Sequence, residues 1–262
     1  MNEKIEYKVL ARKYRPQTFA DLIGQETLVQ ILTNAIITNR IANAYLLTGV
    51  RGVGKTTTAR LIAMSLNCEN KKDDSCEPCG TCDSCKSIRS DHNLDVIEMD
   101  AASKTGVDDV REIIDNVKYK PVNCKFKIFI IDEVHMLSKS AFNALLKTLE
   151  EPPEHVKFIF ATTEVKKIPV TILSRCQRFD LKRVESKDLI QHLKKISELE
   201  KVKIDEDAIS LLVRAGDGSV RDSLSLLDQA IINTDTSVSA ETVASMLGLA
   251  DRGKIYELLG HI

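Results

Sequence analysis

The sequence predicts an α/β domain built on a mostly parallel sheet covered on both faces, followed by a small all-helical domain. Three observations carry this expectation. Apolar runs of strand length alternate with amphipathic helical patterns, a glycine-rich loop follows the first of those runs, and after about Leu181 only helical periodicity continues. Continuous apolar strands between amphipathic helices are buried on both faces, which is the pattern of parallel sheets.

The elements follow in order. Apolar runs of strand length occur at Tyr45-Leu46-Leu47, Val96-Ile97-Glu98-Met99, Ile128-Phe129-Ile130-Ile131 and Phe158-Ile159-Phe160-Ala161, with a weaker fifth around Phe179-Asp180-Leu181. Helical spacing appears at Leu28/Ile31/Leu32/Ala35, at Ala59/Ile62/Ala63/Leu66, at Val107/Val110/Ile113/Ile114/Val117 and at Phe142/Leu145/Leu146/Leu149. In the C-terminal part, Ser186, Asp205, Ser219 and Ser239 each precede an apolar-periodic stretch as N-cap candidates, and Ser219 has Asp222 three residues on. The expected boundaries are 1–182 for the α/β domain and 183–246 for the helical one. A third domain would begin at 247–262 with a helix carrying Ile255, Leu258 and Leu259.

The 262 residues are 43% hydrophobic, enough to build a core and to exclude disorder for most of the chain. Lys and Arg number 37 against 38 Asp and Glu, so any nucleic-acid surface must be a local patch. Aromatic residues are 5% and Trp is absent, which makes stacking platforms for single-stranded bases scarce. No apolar run approaches the roughly 18 residues of a membrane helix, and Met1-Asn2-Glu3-Lys4 lacks a signal peptide's apolar stretch. A cytoplasmic protein without a membrane partner is expected, and its seven cysteines are expected to form no disulfides.

Directly after the first strand comes Gly49-Val50-Arg51-Gly52-Val53-Gly54-Lys55-Thr56, with Thr57 continuing into a helix. This is the phosphate-loop pattern in its required context of strand before and helix after. The glycines let successive backbone N–H groups turn toward a β-phosphate, and the helix N-terminus adds its positive end. Lys55 would neutralise β/γ-phosphate charge, and Thr56 would offer a hydroxyl to Mg²⁺. The third strand ends in Asp132-Glu133, at the sheet edge where ligands sit in open α/β folds. There Asp132 can orient the Mg²⁺ shell and Glu133 can polarise a water for attack on the γ-phosphorus. Asn70-Lys71-Lys72-Asp73 matches a guanine-reading motif, but it precedes the carboxylate strand, so ATP is the expected nucleotide.

Five cysteines (Cys68, Cys76, Cys79, Cys82, Cys85) fall in one short window and read as metal ligands. Cys68 with Cys79-x-x-Cys82-x-x-Cys85 has the spacing of a closed tetrahedral Zn²⁺ site. Cys76 leaves an alternative, because the run from Cys76 to Cys85 superficially resembles iron–sulfur ligation, although the bacterial ferredoxin run spaces its last Cys differently and follows it with Pro. With no open coordination position and no nearby base, the role would be structural. Cys124 and Cys176 stand alone as packing residues.

Arg12-Lys13-Tyr14-Arg15-Pro16-Gln17-Thr18-Phe19, Gly24-Gln25, the phosphate loop, Asp132-Glu133-Val134-His135, Ser174-Arg175-Cys176 and Gly218-Ser219-Val220-Arg221-Asp222 together resemble the clamp-loader branch of the AAA+ ATPases. The cysteine module after the phosphate-loop helix narrows the likeness to the gamma/tau family of bacterial DNA polymerase III subunits. The resemblance runs in order through essentially the whole chain. It implies an AAA+ domain with a five-stranded sheet and a helical lid, and a zinc module at about 68–85 held by Cys68, Cys79, Cys82 and Cys85, with Cys76 spare. It implies that Tyr14, Arg15 and Pro16, with Ile23 and Gly24 nearby, line the adenine pocket. Thr163 would be the sensor of the γ-phosphate, with Thr162 as a competing assignment; the eukaryotic relatives usually carry Asn there. Arg175 would be an arginine finger acting on the neighbouring subunit's ATP, and Arg221 a second sensor. Arg221 has separate support, since a cation in the first turn of a helix is disfavoured by the helix dipole and calls for an anion, which Asp222 or a phosphate could supply.

The function so implied is that of a motor subunit which binds ATP between its α/β domain and lid, joins other clamp-loader subunits in a ring, opens a sliding clamp and grips primer–template DNA by its phosphates. Arg111 and Lys118 are DNA-contact candidates, with an ordinary solvated helix face as the other reading. A helicase or helicase loader of the same class would need pore-loop aromatics or its own DNA-binding domain, and neither is evident. A scaffold with vestigial hydrolysis is disfavoured by the intact Lys55, Thr56, Asp132 and Glu133. Since the sequence stops inside an incipient helix, the chain is expected to lack a collar-forming third domain and to be monomeric alone.

Overall fold

A computed structural model describes residues 7–72, 75–234 and 237–249. Its helices are α1 (Leu10–Lys13), α2 (Glu26–Ile37), α3 (Lys55–Asn67), α4 (Asp83–Arg89), α5 (Val107–Val117), α6 (Lys139–Glu150), α7 (Val170–Leu173), α8 (Ser186–Leu199), α9 (Glu206–Gly216), α10 (Val220–Ile232) and α11 (Ala240–Met246). The strands are β1 (Ala44–Thr48), β2 (Val96–Asp100), β3 (Lys127–Asp132), β4 (Val156–Thr162) and β5 (Gln177–Asp180), then the short β6 (Lys203–Ile204) and β7 (Ser237–Val238). Two units result: one is Pro16–Lys182, and the other joins the described residues before Pro16 to those from Arg183 onward.

In the first unit, β1 to β5 form one sheet in the order β2-β3-β4-β1-β5, and every neighbouring pair is parallel. The strand alternation sorts the core into two layers. Tyr45 and Leu47, Ile128 and Ile130, Ile159 and Ala161 pack toward Leu32 of α2 and Ile62 of α3. Leu46, Phe129, Ile131, Phe158 and Phe160 pack toward Val110 of α5 and Leu145 of α6. On that side Phe158 stacks between Phe129 and Phe160, with ring centroids 5.5 and 5.8 Å apart. Each such fully buried apolar side chain contributes about 1.5–3 kcal/mol of transfer free energy, which is why both faces of the sheet need helices. The chain leaves β1 for one edge of the sheet and leaves β4 for the opposite edge. The carboxyl ends of β1 and β4 therefore flank the point where the connections diverge, the usual ligand crevice of an open α/β sheet.

The predicted helices are present with one shift of face. In α2 the buried stripe is Leu28, Leu32 and Ile36, while Ile31 is 43% exposed. In the second unit Ser219 and Ser239 cap α10 and α11, their hydroxyls accepting the amides of Asp222 and Thr242 at 3.2 Å. Asp205 stands at the N-cap of α9 without a side-chain cap bond, and Ser186 is the first helical residue of α8 behind Glu185. The parallel pair β6–β7 is unexpected, its two-residue strands being too short for periodicity to reveal.

The sequence placed the N-terminal residues with the α/β domain; residues 7–15 instead belong to the helical unit. Four-residue α1 cannot bury Leu10 by itself and lies against α10. The Tyr7 hydroxyl donates to Asp228 Oδ1 at 2.6 Å, and Lys13 Nζ and the Tyr14 hydroxyl donate to Glu200 Oε1 at 2.7 and 2.5 Å. The helix expected from Ile255, Leu258 and Leu259 lies outside the described residues.

Candidate functional site

The loop from Gly49 to Gly54 leaves β1 at its carboxyl end and opens α3. Gly49, Gly52 and Gly54 all have positive φ, at 149°, 79° and 100°. At Gly49 a Cβ would stand 2.7 Å from the carbonyl oxygen of Leu181, whose own N–H is bonded to Thr48 O at 2.7 Å. A side chain there would push against fixed backbone. Val53 is buried in the core and anchors the loop, while Val50 and Arg51 are exposed. Lys55 is the first residue of α3, and its Nζ donates to the carbonyls of Gly49 and Val50 at 3.1 and 3.0 Å. Burial pushes the Lys55 ammonium pKa down, and the nearby Glu133 and Asp132 carboxylates pull it back up.

Thr56 Oγ1 donates to Asp132 Oδ2 at 2.5 Å, so the hydroxyl from α3 and the carboxylate from the end of β3 meet at one point. Asp132 Oδ1 accepts the Glu133 amide at 2.8 Å. Glu133 itself is left-handed, with φ 45° and ψ 44°, a conformation that costs a non-glycine residue about 1–2 kcal/mol and is favoured at functional sites. Its Oε2 accepts both the amide and the hydroxyl of Thr163, at 3.2 and 3.0 Å. Thr162 turns the other way: it is fully buried, its Oγ1 lies 3.0 Å from His135 Nδ1 and accepts the Glu164 amide. His135 also stands 3.4 Å from a Glu133 oxygen and 3.4 Å from a Glu164 oxygen. The two threonines that the sequence could not tell apart thus face different partners.

Arg175, just beyond α7, donates to Glu150 Oε1 at 2.5 Å and to the Thr171 carbonyl at 2.6 Å. Arg221 is exposed in the first turn of α10 and makes no ion pair among the described residues, with Asp222 or any other carboxylate. Arg111 and Lys118 are paired to Asp108 and Asp115, each at 2.7 Å, on a face that also carries Asp109 and Glu112. Tyr14 is held by Glu200 as described, and Pro16, Ile23 and Gly24 lie in the α/β unit, Gly24 with φ 67°. Sequence reasoning gave no role to Gln25. It is buried at the N-cap of α2, where its side-chain amide bonds to both backbone groups of Lys182 (Nε2 to O 2.8 Å, N to Oε1 3.2 Å) and so ties the Ile23–Gly24 turn to the segment that follows β5.

The cysteine window gathers into a cluster. The sulfurs of Cys68, Cys79, Cys82 and Cys85 all lie within 4.8 Å of one another. Backbone amides point at them: Cys79 N to Cys68 Sγ 3.2 Å, Cys82 N to Cys79 Sγ 3.3 Å and Cys85 N to Cys82 Sγ 3.4 Å. Hydrogen bonds from Thr81 draw the Cys79 thiol down to about 6, while burial pushes Cys85 and Cys68 up. Cys76 is not in the group; its Sγ sits 2.9 Å from Thr33 Oγ1 on α2, and Ser65 Oγ of α3 donates to its carbonyl. α4, which carries Cys85 of the cluster, went unseen in the sequence because its N-cap is a cysteine, Cys82, with the sulfur as cap acceptor.

The parallel five-stranded sheet, the phosphate loop between β1 and α3 and the carboxylates ending β3 define a P-loop nucleotide-binding protein of the AAA+ fold. The solved structure of the Thermotoga maritima RuvB Holliday junction branch migration motor is similar at a TM-score of 0.64 and 18% identity, over 90% of this chain and 72% of that one. A family model described as DNA polymerase III, delta subunit, matches residues 24–185, and one described as DNA polymerase III clamp loader subunit, ATPase lid domain, matches 188–236. The DNA polymerase III subunit gamma of Buchnera aphidicola from Acyrthosiphon pisum is 49% identical over 94% of this chain and 67% of its own length. The tau/gamma subunit of Haemophilus influenzae is 52% identical and the tau subunit of Escherichia coli 51%, each over 97% of this chain. The chain belongs to the tau/gamma family of DNA polymerase III clamp-loader subunits. It spans 37% and 39% of the length of those last two relatives. Among the described residues no helix is long and apolar enough to cross a membrane.

Proposed function

We propose that this chain is an ATP-hydrolysing motor subunit of the bacterial replicative clamp loader, acting in the cytoplasm with other clamp-loader subunits to place the sliding clamp on primed DNA. The observation that carries the reading is the meeting of Lys55, Thr56, Asp132 and Glu133 at the carboxyl ends of β1 and β3. The loop amides and Lys55 would bind the triphosphate, with the α3 N-terminus favouring its charge. Thr56 and Asp132 fit Mg²⁺, being hard oxygen donors already side by side. When bound, that ion offsets the charge that grows on the phosphate oxygens.

Glu133 would polarise the attacking water, and Thr163, gripping the same carboxylate, would link γ-phosphate recognition to that base. Arg175 is assigned as the finger for a neighbour's ATP, Arg221 as the second sensor, and Tyr14, Arg15, Pro16, Ile23 and Gly24 to the base. The acidic character of the α5 face counts against Arg111 and Lys118 as phosphate contacts. The four clustered sulfurs suit Zn²⁺: a tetrahedron of bonds of about 2.3 Å needs sulfurs roughly 3.8 Å apart, and sulfurs gathered within 4.8 Å of one another, with amide donors supporting the thiolates, can close onto one ion. With all four positions filled, the ion would hold the loop between α3 and α4 in shape.

The test is ATP turnover measured with and without partner subunits, clamp and primed template. Stimulation by clamp and primed template together is expected. Stimulation only by forked DNA with strand separation would replace this reading with a helicase, and no turnover in any mixture would leave a scaffold.

A further inference from the structure

The cysteine loop does more in the fold than close on itself. Glu77, two residues before Cys79, reaches across to the 3₁₀ turn Phe19–Asp21 and accepts both leading amides, Phe19 N on Oε2 at 2.8 Å and Ala20 N on Oε1 at 2.9 Å. The first amides of any helical turn have no partner within the turn. Here a carboxylate 58 residues along the chain supplies both. Phe19 is 1% exposed and shares a core layer with Cys76, Cys82 and Cys85.

This bond fixes one end of a short segment. From the Phe19–Asp21 turn the chain runs through Leu22, Ile23 and Gly24 to Gln25, which is itself bound to Lys182 at both ends of its side-chain amide. Ile23 and Gly24 are therefore strung between two anchors, Glu77 and Gln25. The loop that carries Glu77 is in turn held by the thiolate cluster, whose Cys68 precedes it and whose other members follow it, and by Cys76, whose carbonyl takes the Ser65 hydroxyl of α3. α3 begins with Lys55 and Thr56 and ends at Asn67, with Cys68 as its C-cap, so about 20 Å of helix joins the phosphate loop to the cluster.

We propose that Glu77 is a positioning residue for nucleotide binding: through it the metal-bound cysteine loop braces the segment on which the base rests. The proposal rests on the assignment of the base to the Ile23–Gly24 side. The brace acts on base recognition and leaves the phosphate contacts of Lys55 and the loop amides untouched. Loss of the carboxylate leaves two amides without the charged acceptor to which they donate, and loss of the metal frees the loop that aims it. Two charge-assisted bonds of this kind are enough to change affinity by about tenfold.

The full chain, with its partner subunits absent and present, is titrated with ATP and with inorganic tripolyphosphate, and amide exchange at Phe19 and Ala20 and zinc content are read on the same samples. Glu77→Ala is expected to weaken ATP binding about tenfold, to speed exchange at both amides, and to keep zinc and tripolyphosphate affinity unchanged. Glu77→Gln, which preserves the shape, falls between, and it alone decides the matter if Glu77→Ala does not fold. Chelated wild-type protein should show the same selective loss. Unchanged ATP affinity with zinc retained overturns the brace, as does an equal loss for ATP and tripolyphosphate. Lys55→Ala separates the two levels: if it leaves ATP binding intact, the nucleotide assignment itself has failed.

Discussion

Thr163 presents two hydrogen-bond donors, its backbone N–H and its hydroxyl, to a single oxygen of Glu133. The carboxylate is thereby aimed by the residue just beyond β4 rather than by its own strand. Thr163→Ala removes one of the two donors and should lower ATP turnover of the assembled complex about tenfold, with Thr163→Ser restoring it and nucleotide affinity unmoved; a general base in position is worth ~10²–10⁴ in rate. Thr162→Ala should act on stability instead, by about 1–3 kcal/mol, because it strands a buried partner at His135. Steady-state turnover set beside denaturant melts distinguishes the pair, and a reversal of the two effects would refute the assignment.

The glycines of the phosphate loop differ in what they avoid. Gly54→Ala meets only the left-handed backbone penalty, since no atom lies within 4 Å of its added Cβ, and should cost about 1 kcal/mol. Gly49→Ala adds a contact with the Leu181 carbonyl and should cost about 2 kcal/mol or more and abolish nucleotide binding. Urea midpoints and ATP titrations provide the comparison; equal costs would mean that the close approach is unimportant.

Metal content should follow the cluster membership. Cys85→Ser is expected to lose the zinc and to melt well below wild type, because structural zinc binding and folding are one equilibrium. Cys76→Ser should keep one zinc per chain, since its sulfur faces Thr33. Elemental analysis of the purified variants decides; loss of zinc from Cys76→Ser would rewrite the ligand set.

Arg175 is paired with Glu150 within its own chain. Arg175→Ala should leave ATP affinity of the isolated chain unchanged and reduce turnover in the complex by ~10³–10⁵, the range for an arginine finger. A drop in affinity without partners would show that the guanidinium serves its own chain's nucleotide.

The N-terminal tether has a definite pH signature. Hydrogen bonds from Lys13 and Tyr14 hold the Glu200 carboxyl below its ordinary 4.5. A carboxylate with a depressed folded value contributes stability above its unfolded value and loses it as pH falls through the folded one. The melting-temperature gap between wild type and Glu200→Gln should therefore be widest near neutrality and close below pH 4.5. A gap constant down to about pH 3 would contradict the linkage.

What the sequence disclosed tracks how local the cause is. The five strands and the phosphate loop were legible because apolar alternation and glycine placement are written in neighbouring residues. Gln25 and Glu77 were not, because their partners, Lys182 and the Phe19–Ala20 amides, are far along the chain. Asp95 is a third case: it is buried and accepts the amides of Val122, Asn123 and Cys124, yet reads as an ordinary acid before a strand. The choice between Thr162 and Thr163 rested on which one β4 turns inward, a matter of a single residue of register.

Because residues 7–15 side with the helices that follow Arg183, the helical unit is discontinuous in sequence while the α/β unit is one uninterrupted stretch. During synthesis, which proceeds from the N-terminus, residues 7–15 are made before the intervening sheet and remain without their partners while it is translated. Those docking partners, Glu200 and Asp228, emerge only afterwards. Completion of the helical unit is thus postponed until the whole α/β unit has been translated, an order fixed by chain topology alone.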